Sequence, residues 1–207
     1  MTEIPYGVEV SFDPAIRTPG AEAKLRENHR SCRGSMLGCS WIFVLVTAGS
    51  IVSAVYVDGA FAVLAGICGL VAVVGLLMLR MDTTEYRKSR KVLAAYTWQE
   101  WPARRVPVDE ADNDNTFASV DLRSADGRHT VRMTVSDAVD SLLDQHPDGD
   151  PLWFAGDARF GGVLAAAGGQ GWMFLVVRRE PGREHGSELA DRTARETGLM
   201  PRDWQPQ

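Results

Sequence analysis

Cysteine is scarce in this 207-residue chain: Cys32, Cys39 and Cys68 are the only three. None stands in a CxxC pair or has a histidine at ligand spacing, so neither a disulfide framework nor a Cys/His metal site finds support. Cys39 and Cys68 read as small apolar packing residues. Basic side chains are also in the minority, with 22 Lys and Arg against 27 Asp and Glu and a net charge of -5. With no Lys/Arg stripe interleaved with aromatics, nucleic acid is not an expected partner. No Walker loop, dinucleotide fingerprint or nucleophile elbow occurs. His29, His129, His146 and His185 are scattered along the chain. The acidic run Asp109 to Asn115 comes nearest to a cation loop. An EF-hand counted from Asp112 would need Gly and Glu where Phe117 and Arg123 stand. No cofactor and no metal is expected, and no catalytic residue is assigned.

Charge is missing altogether from two neighbouring stretches, residues 36–57 and 60–79. Each is long enough to cross the hydrocarbon core of about 30 Å at about 1.5 Å per residue as a helix. Asp58-Gly59 between them is turn chemistry, so the hydropathy predicts a transmembrane helical hairpin over residues 36–79. The mean hydropathy of -0.13 averages this block with polar flanks. Arg26, Arg30 and Arg33 precede it, and Arg80, Arg87, Lys88, Arg90 and Lys91 follow it. By the positive-inside rule both termini are expected in the cytoplasm of a multi-pass plasma-membrane protein. Small residues such as Gly66 and Gly69 offer a packing seam for the hairpin or a homo-oligomer. Neither helix has an ionisable group at mid-depth, so transport by this chain alone is not expected.

Around this block the chain divides into an N-terminal flank (1–35), the hairpin (36–79), a basic juxtamembrane segment (80–91), a β-rich domain (92–180) and a polar tail (181–207). The flank offers a short edge strand at Val8, Val10 and Phe12, then a solvated helix from Thr18-Pro19. In the domain, period-two alternation predicts strands at Phe117 to Leu122 and Thr130 to Val135, joined by Asp126-Gly127. The stretch YTWQEWPARRVPV reads as an edge or bulged strand because of Pro102 and Pro107. A short helix is expected from Ser136 to Gln145. Strands follow at Leu152 to Ala155, Phe160 to Ala165 and Trp172 to Arg179. The fold class expected is therefore a membrane α-helical hairpin with a small β-rich (α+β) cytoplasmic domain, barrel-like or a rolled sheet. The tail is expected to be mostly disordered, with a possible helix from Ser187 to Thr197.

The segments TWQEWP (Thr97 to Pro102) and LWFAGDARFGGVL (Leu152 to Leu164), set after such a hairpin, resemble a group of uncharacterised actinobacterial integral membrane proteins. That resemblance implies the architecture and brings no activity. The functional expectation is a non-enzymatic protein that presents its β-domain for protein interaction or assembly, with the lipid bilayer and a homo-oligomer or membrane protein as partners. The alternative is a membrane-tethered enzyme using the Gly156 to Gly162 turn, where Asp157 and Arg159 supply a polar pair. A turn packed shut removes the alternative. The double glycine Gly161-Gly162 reads as a bulge or close backbone approach.

Overall fold

The computed structural model describes residues 8–27, 29–30, 80, 83–106, 119–124, 127–134, 147, 149–169, 171–178, 181–182 and 186–205. The chain forms two compact units, one from residues 1–25 with 88–207 and the other from residues 26–87. The strands are β1 (Val8–Pro14), β2 (Thr97–Val106), β3 (Ser119–Arg123), β4 (Thr130–Thr134), β5 (Pro151–Asp157), β6 (Gly161–Ala166) and β7 (Met173–Val177). Helices run over residues 21–27 (α1), residues 83–95 (α2) and Glu188–Thr197 (α3), with a 3-10 turn at Ala15–Arg17.

All strand neighbours are antiparallel, in the order β1-β2-β3-β4-β7-β6-β5, and β5 returns to pair with β2. That last pairing closes β2 through β7 into a ring, and β1 pairs alongside β2 in addition. The run β5-β2-β3-β4 places the fourth strand beside the first, a Greek key. Closure satisfies strand edges that would otherwise seek partners. Among the described residues the ring is thinnest at β4 and β7, where Thr134 stands opposite Val177.

Alternation decides what fills the ring. Trp101, Ala103, Val120, Leu122, Val131, Met133, Leu152, Phe154, Leu164 and Val176 form one buried cluster, to which each of the six strands β2 to β7 contributes. Trp101 and Phe154 meet edge to face, with ring centres 6.2 Å apart. Removing side chains of this size from water contributes roughly 1.5–3 kcal/mol each. The Trp101 indole donates to Gln99 at 3.1 Å, so the buried amide and the indole satisfy one another. Trp98, one step along the strand, is fully buried on the opposite face. Its indole donates to the Thr18 hydroxyl at 2.9 Å and its ring leans on Trp153. The Ala15 N–H donates to the Tyr96 carbonyl at 2.8 Å, fastening the N-terminal segment to the start of β2. Ala15, Ala21 and Leu25 are buried with Val92 and Leu93. The expected solvated helix after Pro19 therefore has a buried face.

The β3–β4 hairpin follows the sequence reading closely. Asp121 stands opposite Arg132 and accepts from it at 2.8 and 3.1 Å. The turn closes with Ser124 N–H on the His129 carbonyl, and Gly127 takes the left-handed φ of 68° that this turn requires. By contrast, β2 is no edge strand: it pairs with β1, β3 and β5. Pro102 is tolerated because it faces Pro151, which likewise lacks an N–H, while the β3 ladder begins at Ala103.

The expected fold class is corrected. Among the described residues no helix is long and apolar enough to cross a membrane. The described helices are short and charged: α3 has 10 residues and α2 carries Glu85, Arg87, Lys88, Arg90 and Lys91. At about 1.5 Å per residue neither reaches the roughly 30 Å required. What the described residues build is dominated by a seven-stranded antiparallel sheet. The assignment as an integral, multi-pass plasma-membrane protein with cytoplasmic termini consequently has no described span to rest on. The expected spans 36–57 and 60–79, the seam at Gly66 and Gly69, the three cysteines, the acidic run 109–115 and the helix 136–145 lie outside the described residues.

Candidate functional site

The polar pair that the sequence singles out sits where β5 turns into β6. Gly156 stands opposite Gly162 and Asp157 opposite Gly161, with residues 158–160 as the turn. Backbone approach requires both glycines: a Cβ at Gly156 or Gly162 would collide with the facing backbone, and the Phe154 ring crowds both positions further. The close backbone approach expected for Gly161-Gly162 is found. The turn is locked from β7, where Arg178 N–H donates to the Phe160 carbonyl at 3.0 Å.

Asp157 and Arg159 form a bidentate pair. The Arg159 Nε donates to Oδ1 at 3.0 Å and Nη2 to Oδ2 at 2.7 Å, and the Arg159 backbone N–H also donates to Oδ1 at 2.9 Å. The Arg159 Nη1 donates at 2.7 Å to Asp191, on α3, 32 residues away. The side chains of Arg159, Asp157 and Asp191 are 8%, 9% and 22% exposed, so this is a buried ionic triad. The guanidinium centre lies 5.0 Å from the Phe160 ring centre. Burial works against the Arg159 charge, but the hydrogen bonds and charge of Asp157, then of Asp191, outweigh it. The guanidinium pKa is raised above its ordinary value.

The segment after the sheet holds this triad closed. The Ser187 hydroxyl accepts from Ala190 N–H as the N-cap of α3, and Gly198 ends the helix with a left-handed φ of 74°. Ala194, Thr197, Leu199 and Met200 are buried. Trp204 meets Phe160 edge to face at 5.2 Å, and its indole donates to the Gly182 carbonyl at 2.9 Å. Gly186 lies against the Arg159 guanidinium, where any side chain would collide. The expectation of a mostly disordered tail is therefore corrected: α3 and the residues to Trp204 pack on the barrel. The cause is Leu199, Met200 and Trp204, which lie beyond the polar helix and give it an apolar seat.

Tyr96, at the end of α2, belongs to the same neighbourhood. Its hydroxyl is buried and makes no hydrogen bond of ordinary geometry with the described residues. Burial raises its pKa first and the charge of Asp157 raises it further, while the nearby Thr197 hydroxyl and Arg159 pull it partly back. Thr197 spends its own proton on the Thr193 carbonyl at 2.8 Å.

Of the histidines, His129 sits in the β3–β4 turn and His29 stacks on Tyr86 at 4.5 Å, while His146 and His185 lie outside the described residues. Among the described residues no group of three His, Cys, Asp or Glu side chains is placed to hold a metal ion. Sequence reasoning found Asp157 and Arg159 but missed Asp191, Trp204 and Tyr96. The local signal at Asp191, a carboxylate in the first turn after a Ser cap, announces a helix start and nothing about its partner. Comparison of the chain with protein-family models, with curated proteins and with solved structures returns no match.

Proposed function

We propose that the β-rich unit is a protein-interaction domain that associates, with a protein partner or a second copy, through the apolar arch of β1. The observation that carries this reading is Phe12, whose side chain is 96% exposed. Val10, two residues before it, is 40% exposed. The pairing of β1 with β2 shifts register between Glu9 and Pro14, so the intervening residues leave the ladder. The Ser11 hydroxyl accepts from Asp13 N–H at 3.2 Å and donates to the Asp13 carbonyl at 3.1 Å, which holds the arch in shape. A fixed backbone presenting an aromatic ring to water suits an anchor that a partner pocket buries.

The rival reading, an enzyme at the Gly156 to Gly162 turn, loses its support because Asp157 and Arg159 are engaged in the buried triad and the turn is packed shut under Trp204. Interaction through the arch is tested by placing a photo-reactive phenylalanine analogue at Phe12 in the full chain inside cells. Covalent adducts to protein are expected at position 12, well above the same analogue at the exposed Arg123 on β3. Equal yields at the two positions overturn the reading.

A further inference from the structure

We propose that residues 186–204 are a releasable clasp whose Asp191 fills, in cis, a carboxylate-recognition site built by Arg159 on the barrel. When the clasp opens, the site takes an acidic helical peptide in trans. This goes beyond the interaction arch of β1, which lies on a different strand. Four features carry it. Among the described residues the buried cluster inside the ring is drawn from strands, with Ala158, Trp172 and Phe174 packed against it and no residue of the clasp in it. Arg159 keeps its bidentate pair with Asp157 when Asp191 leaves, so release strands no buried lone charge, and Nη1 gains water as the cover departs. The clasp helix is specified locally, by Ser187 and Gly198 at its ends and by an Arg192–Glu196 pair one turn apart. It can therefore leave and return as a unit. Finally, the seat is preformed: the guanidinium is fixed from behind by Asp157, stacked over Phe160, and offers Nη1 outward to a carboxylate at 2.7 Å.

The chemistry of the site defines its ligand. Nη1 asks for one carboxylate oxygen, Phe160 asks for an aromatic ring against its edge, and the flat contact at Gly186 admits no side chain. A peptide with a carboxylate in the first turn of a capped helix and a tryptophan beyond the helix end meets all three. Asp191 in the first turn also sits at the positive end of its own helix, which steadies the carboxylate in the bound form.

The test uses the full chain carrying Asp191→Asn, which keeps shape and removes the charge, beside the unaltered chain. Hydrogen exchange read by mass spectrometry is expected to quicken by about tenfold or more across residues 188–200 while β5 and β6 keep their protection. A labelled synthetic peptide of residues 186–204 is expected to bind the variant chain about tenfold more tightly than the same peptide carrying Asp191→Asn. Loss of protection in β5 and β6 together with α3 overturns the proposal, because the clasp is then part of one cooperative unit with the barrel. Peptide binding that is absent, or indifferent to Asp191, also overturns it, because no carboxylate site then exists.

Discussion

Glycine at 162 is dictated by the backbone facing it, with an aromatic ring closing the remaining space. Phe154 lies over the facing pair Gly156 and Gly162, and a methyl group at either position meets backbone across the hairpin. Overpacking of this kind has no flexible neighbour to absorb it. Gly162→Ala is expected to destabilise the barrel by about 2–3 kcal/mol, read as a lowered midpoint in urea unfolding. Gly127 supplies the contrast, since its φ of 68° strains an alanine but the space around it is open. There the same substitution costs only about 1 kcal/mol. If the two substitutions prove equal, the close approach of the facing strand is not what holds the glycine at 162. The sequence motif around Asp157 and Arg159 thus resolves into parts that build the turn.

At the scale of elements, α3 joins the barrel through groups that no period in the sequence connects. Its docking is expected to weaken at alkaline pH, and the sign follows from Tyr96. The buried hydroxyl has its pKa raised above the ordinary tyrosine value of about 10, first by burial and then by Asp157. The docked state therefore holds the proton more tightly than the released state. Stability of docking is full below the ordinary value and falls as pH climbs past about 10. Thermal unfolding or α3 exchange followed from neutral to strongly alkaline pH should show this loss. Tyr96→Phe should flatten it, and a slope unchanged in that variant would assign the titration elsewhere. The β3–β4 hairpin shows the opposite case. Its strands, its turn glycine and its Asp121–Arg132 pair all lie within a short stretch, where alternation and turn chemistry are both local and so can be read directly.

At the scale of the whole molecule, the β-rich unit is made from both ends of the chain, residues 1–25 and residues 88–207. Trp98 needs Thr18 and its neighbours for cover, whereas Trp204 caps Phe160 as part of the clasp. A fragment of residues 92–180, which contains β2 through β7 but lacks Thr18 and the rest of the N-terminal segment, is accordingly expected not to fold cooperatively by itself. Calorimetry of that fragment should show no sharp transition, whereas joining residues 1–25 to residues 88–207 through a short linker should restore one. A sharp transition in the shorter fragment would mean that the N-terminal segment only decorates the barrel. β3, β4, β5 and β6 with their turns are legible in the chain alone, because period-two alternation and glycine placement act over a few residues. Hydropathy, equally local, also predicted a membrane hairpin, which no helix among the described residues provides. Only the tertiary structure decided that β2 is shared by three strands, that β5 closes the ring, and that Arg159 pairs with Asp191. The physical reason is that closure and ion pairing across 32 residues depend on where distant segments come to rest, and leave no periodic trace in the chain between them.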